Sequence, residues 1–225
     1  MEIRLNKFLA EKVGLSRREA DNLIVDGKVL VNQQPAVLGA RISETDEIIC
    51  EGKNISTKKP EYIYLMLNKP VGYVSSRKAQ GEVPTLYELL PEKYQKLKTV
   101  GRLDKNSSGL ILLTNDGDFA FKHTHPKFYK LKTYLIELDQ TLAPLHQQEI
   151  SDFGIHLEDG LSKLFLTKLD EDRLKWQVEM GEGRNRQIRR TFAALGYKVV
   201  KLHRIEFGHY QLGDLKTGEF KLVEL

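Results

Sequence analysis

Residues 101–117, GRLDKNSSGLILLTNDG, place one carboxylate, Asp104, between Arg102 and a short apolar run. A carboxylate held near a guanidinium can act as a nucleophile or as a general acid or base. It can equally do no more than cap a turn, as loop aspartates commonly do. A second chemical signal lies downstream. Residues 184–204 contain seven Lys or Arg and no Asp or Glu, a block of one sign suited either to a polyanion or to a solvated face. His123 and His125 flank Thr124 with no acidic or Cys partner at ligand spacing, so they are not read as a metal site.

The elements that must position these groups follow from periodicity. Leu110–Leu113 is a continuous apolar run with Gly109 before it and Asn115-Asp116-Gly117 after it, the pattern of a strand buried on both faces. Asp104 therefore belongs to the loop entering a core strand, where a rigid element can hold a reactive group still. In EGRNRQIRRTFAALG, ending at Gly196, Ile188, Phe192 and Leu195 define the buried face of a helix. Arg186 and Arg190 then fall on another face and Arg189 at the boundary.

Other strands are expected at 62–67, 134–138, 161–169, 174–180 and 198–207, with a last turn and strand over 213–222. Residues 68–72, NKPVG, should turn after the first of these strands. Residues 85–90 suit one or two helical turns, 119–123 a short helix capped by Asp116, and 144–150 another helix.

Before residue 52 the pattern differs. Leu5, Phe8, Leu9 and Val13 share one helical face, with Arg4, Lys7 and Glu11 outside. Ser16 with Glu19 forms a capping box for a second helix that should bury Ala20, Leu23 and Ile24 and stop at Gly27. Residues 28–31 read as a strand, 32–35 as a turn and 36–49 as short extended pieces. Residues 52–60, GKNISTKKP, lack apolar periodicity and read as a linker, which divides the chain into 1–51 and 61–225.

The 225 residues suffice for two such domains. The net charge of +4 is too small by itself to imply nucleic acid. No apolar run approaches a membrane span and residues 1–12 are charged throughout, so a cytoplasmic protein is expected. Cys50 is the only cysteine, which excludes an intrachain disulfide and a cysteine-cluster metal site.

The 101–117 run resembles the signature GRLDxxTxGLLLLTNDG of the RNA pseudouridine synthases of the Rsu type, with Ser107 or Ser108 where a Thr is usual. The resemblance extends over essentially the whole chain. LNKPVG, at 67–72, is similar to the family's first motif, which helps frame the active-site cleft; an ordinary Pro-Gly turn has the same pattern. Residues 4–32 are similar to the ribosomal-protein-S-four-like RNA-binding domain, in which Arg4, Lys7, Ser16, Arg17, Arg18 and Lys28 would meet phosphate.

The resemblance implies an α+β protein: a small N-terminal α/β RNA-binding domain, then a catalytic domain with a mixed, largely antiparallel sheet flanked by helices. It implies isomerisation of uridine in ribosomal RNA, free or in an assembling subunit, by a monomer needing no cofactor or metal and no membrane. Asp104 would be the ionised catalytic aspartate, buried and faced by Arg189, with Tyr134 against the target uracil, Leu202 on its other side, and Ile188 beside them. Arg102 would hold the backbone or fill the vacated stack, and Arg184, Arg186 and Arg190 would bind phosphate. The Arg-rich 185–190 run looks more like the large-subunit enzymes than the small-subunit ones. A non-catalytic RNA-binding or ribosome-assembly factor could use the same basic surfaces.

Overall fold

The computed structural model describes residues 2–57, 61–77 and 81–224. It divides into two compact units, Met1–Ile63 with Asn115–Gly117, and Tyr64–Thr114 with Asp118–Leu225. Residues 58–60 of the expected linker lie outside the described residues.

The first unit carries helices α1 (Leu5–Lys12) and α2 (Arg17–Val25) with two small antiparallel sheets, one of two strands and one of four. Leu5, Phe8, Leu9, Ala20 and Ile24 pack with Val29, Ile42, Ile48 and Cys50 into one core. Val13 is exposed instead of buried, because α1 stops at Lys12 and leaves it in the cap. The capping box is formed as expected: Ser16 Oγ accepts from the Glu19 amide and the Glu19 carboxylate accepts from the Ser16 amide. Lys53–Asn54, read as linker, instead pair with Ile48–Cys50. Glu51 and Gly52 both have positive φ (48° and 75°), as a two-residue hairpin turn requires.

The second unit is a mixed sheet of nine strands: β1 (Tyr64–Lys69), β2 (Lys98–Val100), β3 (Ser108–Thr114), β4 (Lys132–Leu138), β5 (Phe165–Lys168), β6 (Lys175–Met180), β7 (Val199–Phe207), β8 (Tyr210–Gln211) and β9 (Phe220–Leu222). The order is β5-β6-β4-β7-β3-β1-β9, with β8 on β7 and β2 on β3. Every pairing among them is antiparallel except β3 with β7. The sheet is therefore mixed and largely antiparallel, as the family resemblance implied.

Helices α3 (Gly117–Thr124), α4 (Pro144–Gln148) and α5 (Gln187–Ala193) complete the fold, α4 continuing as a wider turn over Glu149–Phe153. Residues 109–114 of β3 are all buried, as a continuous apolar run in a central strand should be. In β6 the alternation buries Trp176, Val178 and Met180.

Three local expectations change. Asn68 and Lys69 belong to β1 and not to the turn after it, because they pair with Leu110 and Gly109. The 161–169 stretch is two strands, since Gly160–Ser162 turns back on Ile155–Leu157 while β5 joins the large sheet. Arg186 precedes α5 in a left-handed conformation (φ 48°, ψ 30°), so it is not on a face of that helix.

Parallel contact of β3 with β7 depends on Gly109, whose φ is +103°. A Cβ there would lie 2.2 Å from the Arg204 carbonyl oxygen, so no other residue fits without moving a strand.

Candidate active site

The loop from Leu103 to Ser107 enters β3, and each of its five carbonyl groups accepts a hydrogen bond from outside the loop. Ser75 Oγ donates to Leu103 O (2.8 Å) and the Gly72 amide to Lys105 O (2.8 Å). Lys69 Nζ donates to Asp104 O (3.2 Å), Ser107 O (2.8 Å) and Pro70 O (2.9 Å). Arg189 donates to Asn106 O (2.7 Å) and also to Val199 O at the start of β7. A loop secured at every carbonyl holds the side chain it carries in one place. That side chain is Asp104.

The Asp104 carboxylate is 37% exposed and forms an ion pair with Arg186, Oδ2 to Nη1, at 3.7 Å. Two expectations are corrected here. The carboxylate is not buried, since more than a third of it is open to solvent. Its direct partner is Arg186 and not Arg189, since the left-handed turn at Arg186 swings that guanidinium toward the loop. Arg189 still carries charge near Asp104, but its donors secure backbone. Burial lowers its affinity for its proton, as does the neighbouring Arg186, while Asp104 opposes both.

Tyr134 and Leu202 come together across one sheet face. Tyr134 on β4 pairs with Arg204 on β7, and Ile136 with Leu202, so these four side chains project from the same face. Tyr134 and Leu202 are both buried. His203, between Leu202 and Arg204, pairs with Ser108, four residues after Asp104. Ile188 is also buried, on α5. Arg102 is exposed at the entry to the loop.

Two of the remaining basic residues are engaged elsewhere. Arg184 and Arg190 both grip Asp159, at 2.9 and 2.7 Å, and Arg184 also donates to the carbonyls of Asp159, Gly160 and Leu161. They tie the 155–162 hairpin to the start of α5. In the first unit Ser16 Oγ is occupied as a helix cap. Arg17 donates to Asn6, Lys28 lies 3.8 Å from Asp26 and from Glu51, and Lys7 lies 4.0 Å from Glu11. Arg4 and Arg18 are exposed. Surface pairs of this kind contribute little to stability.

Sequence reasoning missed two residues. Lys69 is 0% exposed, and burial holds its ammonium down at about 8 against the pull of Asp104. The signal was a lysine closing the apolar strand YLMLNK, which a Pro-Gly turn reading hides. Arg204, 2% exposed, donates through Nε to Leu110 O (2.7 Å), and its Nη2 has no partner among the described residues. In the sequence it looked like one more charge of the basic block. The donors around Asp104 are cationic, amide and hydroxyl groups, a set suited to an anionic ligand more than to a metal ion.

The family model described as RNA pseudouridylate synthase matches residues 63–194, and that of the S4 domain matches residues 3–48. A ribosomal small subunit pseudouridine synthase A of Pasteurella multocida is 39% identical over 223 residues, covering 97% of this chain and 95% of its own. A ribosomal large subunit pseudouridine synthase B of Bacillus subtilis is 37% identical over 225 residues, covering 96% and 90%. A crystal structure of a pseudouridylate synthase superimposes with a TM-score of 0.70 at 35% identity, covering 99% of this chain and 96% of its own.

Proposed function

Since the chain belongs to the RNA pseudouridylate synthase family, we propose that it converts uridine to pseudouridine in ribosomal RNA, with Asp104 as the catalytic carboxylate. The observation that carries the assignment of Asp104 is the loop around it: five consecutive carbonyls are secured, while the carboxylate itself stays open beside Arg186.

The reaction breaks the bond from uracil N1 to ribose C1′, turns the freed base and forms a bond from C5 to C1′. N1 gains a proton and C5 loses one, so no atom is gained or lost overall. Redox chemistry is not needed. What is needed is a carboxylate that acts on the ribose or the base and a cavity that retains the loose ring. Asp104 supplies the first. Tyr134 flanks the ring on one side and Leu202 on the other, with Ile188 behind, and the fixed charge of Arg189 and Arg186 stabilises Asp104 as its surroundings dry on binding. A stacked uridine must first leave its helix, at a cost of a few kcal/mol. Arg102, exposed at the loop entry, holds the backbone or fills the gap, and the first unit supplies phosphate contacts through Arg4, Lys7, Arg17, Arg18 and Lys28.

Of the two ribosomal RNAs, the proposal takes that of the large subunit, on the Arg-rich 185–190 run; relatives are named for both. The protein acts as a monomer in the cytoplasm. Pseudouridine maps of both RNAs from cells with the gene, without it, and with Asp104→Asn test the whole reading. One large-subunit position should lose pseudouridine in both deficient strains, and purified Asp104→Asn should lose activity about a thousandfold or more while keeping its fold. Unchanged maps would leave only an RNA binder.

A further inference from the structure

The geometry points to a second RNA contact on the same unit: an aromatic and basic platform formed by the end of α3 and the segment leading to β4, which stacks unpaired nucleotides next to the target. The inference rests on the RNA-modifying reading of the active site. It concerns residues that reading does not use.

Residues 119–136 contain four Lys and two His and no Asp or Glu; the adjacent acids, Asp118 and Glu137, stand at either end. Phe121 is 50% exposed and Tyr129 71% exposed, which is costly for large rings unless they meet a partner. The rings are ordered among themselves. Phe121 lies 4.6 Å from His125 and 5.8 Å from Phe128 between centroids, and Lys127 Nζ sits 5.9 Å from the Phe128 ring. The His125 amide donates to Phe121 O and the Lys127 amide to His125 Nδ1, which fixes the turn carrying these rings.

Tyr129, next in the chain after Phe128, lies against a glycine. A Cβ on Gly181 would come within 1.8 Å of the Tyr129 ring, so the ring lies directly against bare backbone and presents its remaining surface to solvent. Glu182, the acid next to Gly181, is engaged with Arg184 and Gln187. Exposed rings with lysines among them have the make-up of single-strand stacking sites, where rings take base faces and lysines take phosphates. The chain runs from Tyr129 to Tyr134 in five steps, at most about 18 Å. Nucleotides on the platform would thus be near neighbours of the one in the active site.

The test uses the intact chain in two measurements. First, anisotropy of a labelled, unstructured RNA oligonucleotide is followed across a salt series. Phe121→Ala/Tyr129→Ala should weaken binding about tenfold at fixed salt with an unchanged salt slope, whereas Lys122→Gln/Lys127→Gln should lower the slope by about one to two. Second, pseudouridine formation is measured in ribosomal RNA from cells lacking the gene. The ring variant should raise KM about tenfold and leave kcat within about twofold.

Parental KM and parental oligonucleotide affinity in both variants would overturn the platform while leaving the proposed function standing. Loss of binding to a ribosomal protein in its place would also overturn it. If the parent forms no pseudouridine in either RNA, the functional reading fails and the oligonucleotide series alone decides the platform. Gly181→Ala, which displaces Tyr129 without removing a ring, should weaken oligonucleotide binding in the same direction as the ring variant.

Discussion

Lys69 has three N–H groups while protonated, and three carbonyls, of Pro70, Asp104 and Ser107, take them. Above a pH of about 8 the amine keeps only two, and one carbonyl of the loop loses its donor. Activity should therefore fall as pH rises through about 8. Stability moves the other way. Between about 8 and 10.5 the unfolded chain holds the Lys69 proton that the folded chain has released, so this group adds stability as pH rises. Lys132, lowered to about 8 by burial and by Arg204, contributes with the same sign. Falling kcat without a falling melting temperature over that range is the expected signature. Lys69→Met should reduce kcat by about a hundredfold at neutral pH and abolish that alkaline limb. Asp104 stands out in the sequence because the seventeen-residue run that contains it resembles a family signature. Lys69 does not, because nothing local distinguishes a buried lysine from one at a turn; its burial exists only once β1 lies beside β3.

Among the elements, those specified by neighbours in the chain were readable and those specified by distant partners were not. The capping box of α2 is local chemistry and forms as read. Ser16→Ala should cost about 1 kcal/mol and leave the salt slope of RNA binding unchanged, as measured by denaturant melts and salt titration, since the hydroxyl serves the helix. The β3–β7 contact is the opposite case. Gly109 looked like punctuation before a strand, yet its role is set by Arg204, 95 positions away. Gly109→Ala should destabilise the second unit by about 3 kcal/mol or more, seen as a melting temperature lower by at least about 6 °C. Arg186 was misread for a related reason: helical periodicity carried it into α5, although its positive φ places it one residue outside. Lys53–Asn54 looked like linker because a two-residue polar strand carries no apolar periodicity; its pairing shows only once the positive φ of Glu51 and Gly52 turns the chain back.

For the whole molecule, a net charge of +4 says little, and the distribution says more. Much of the positive charge of the 184–204 block is committed internally, Arg184 and Arg190 to Asp159 and Arg204 to the β3 backbone. The proposed phosphate contacts of the first unit are therefore the ones to test by salt dependence. Arg18→Gln with Lys28→Gln in the intact chain should reduce the magnitude of the log K against log salt slope by about 1.5, with kcat unchanged. Arg184→Gln should leave that slope alone and lower stability instead.

One residue of the second unit has a use outside chemistry. Trp176 is the only tryptophan in the chain, fully buried in β6 opposite Ile136, two positions along β4 from Tyr134. Its emission therefore reports the fate of one unit against a dark background from the other. The intact protein carries its own spectroscopic label, by which the order of melting of its two halves can be read without attaching a dye.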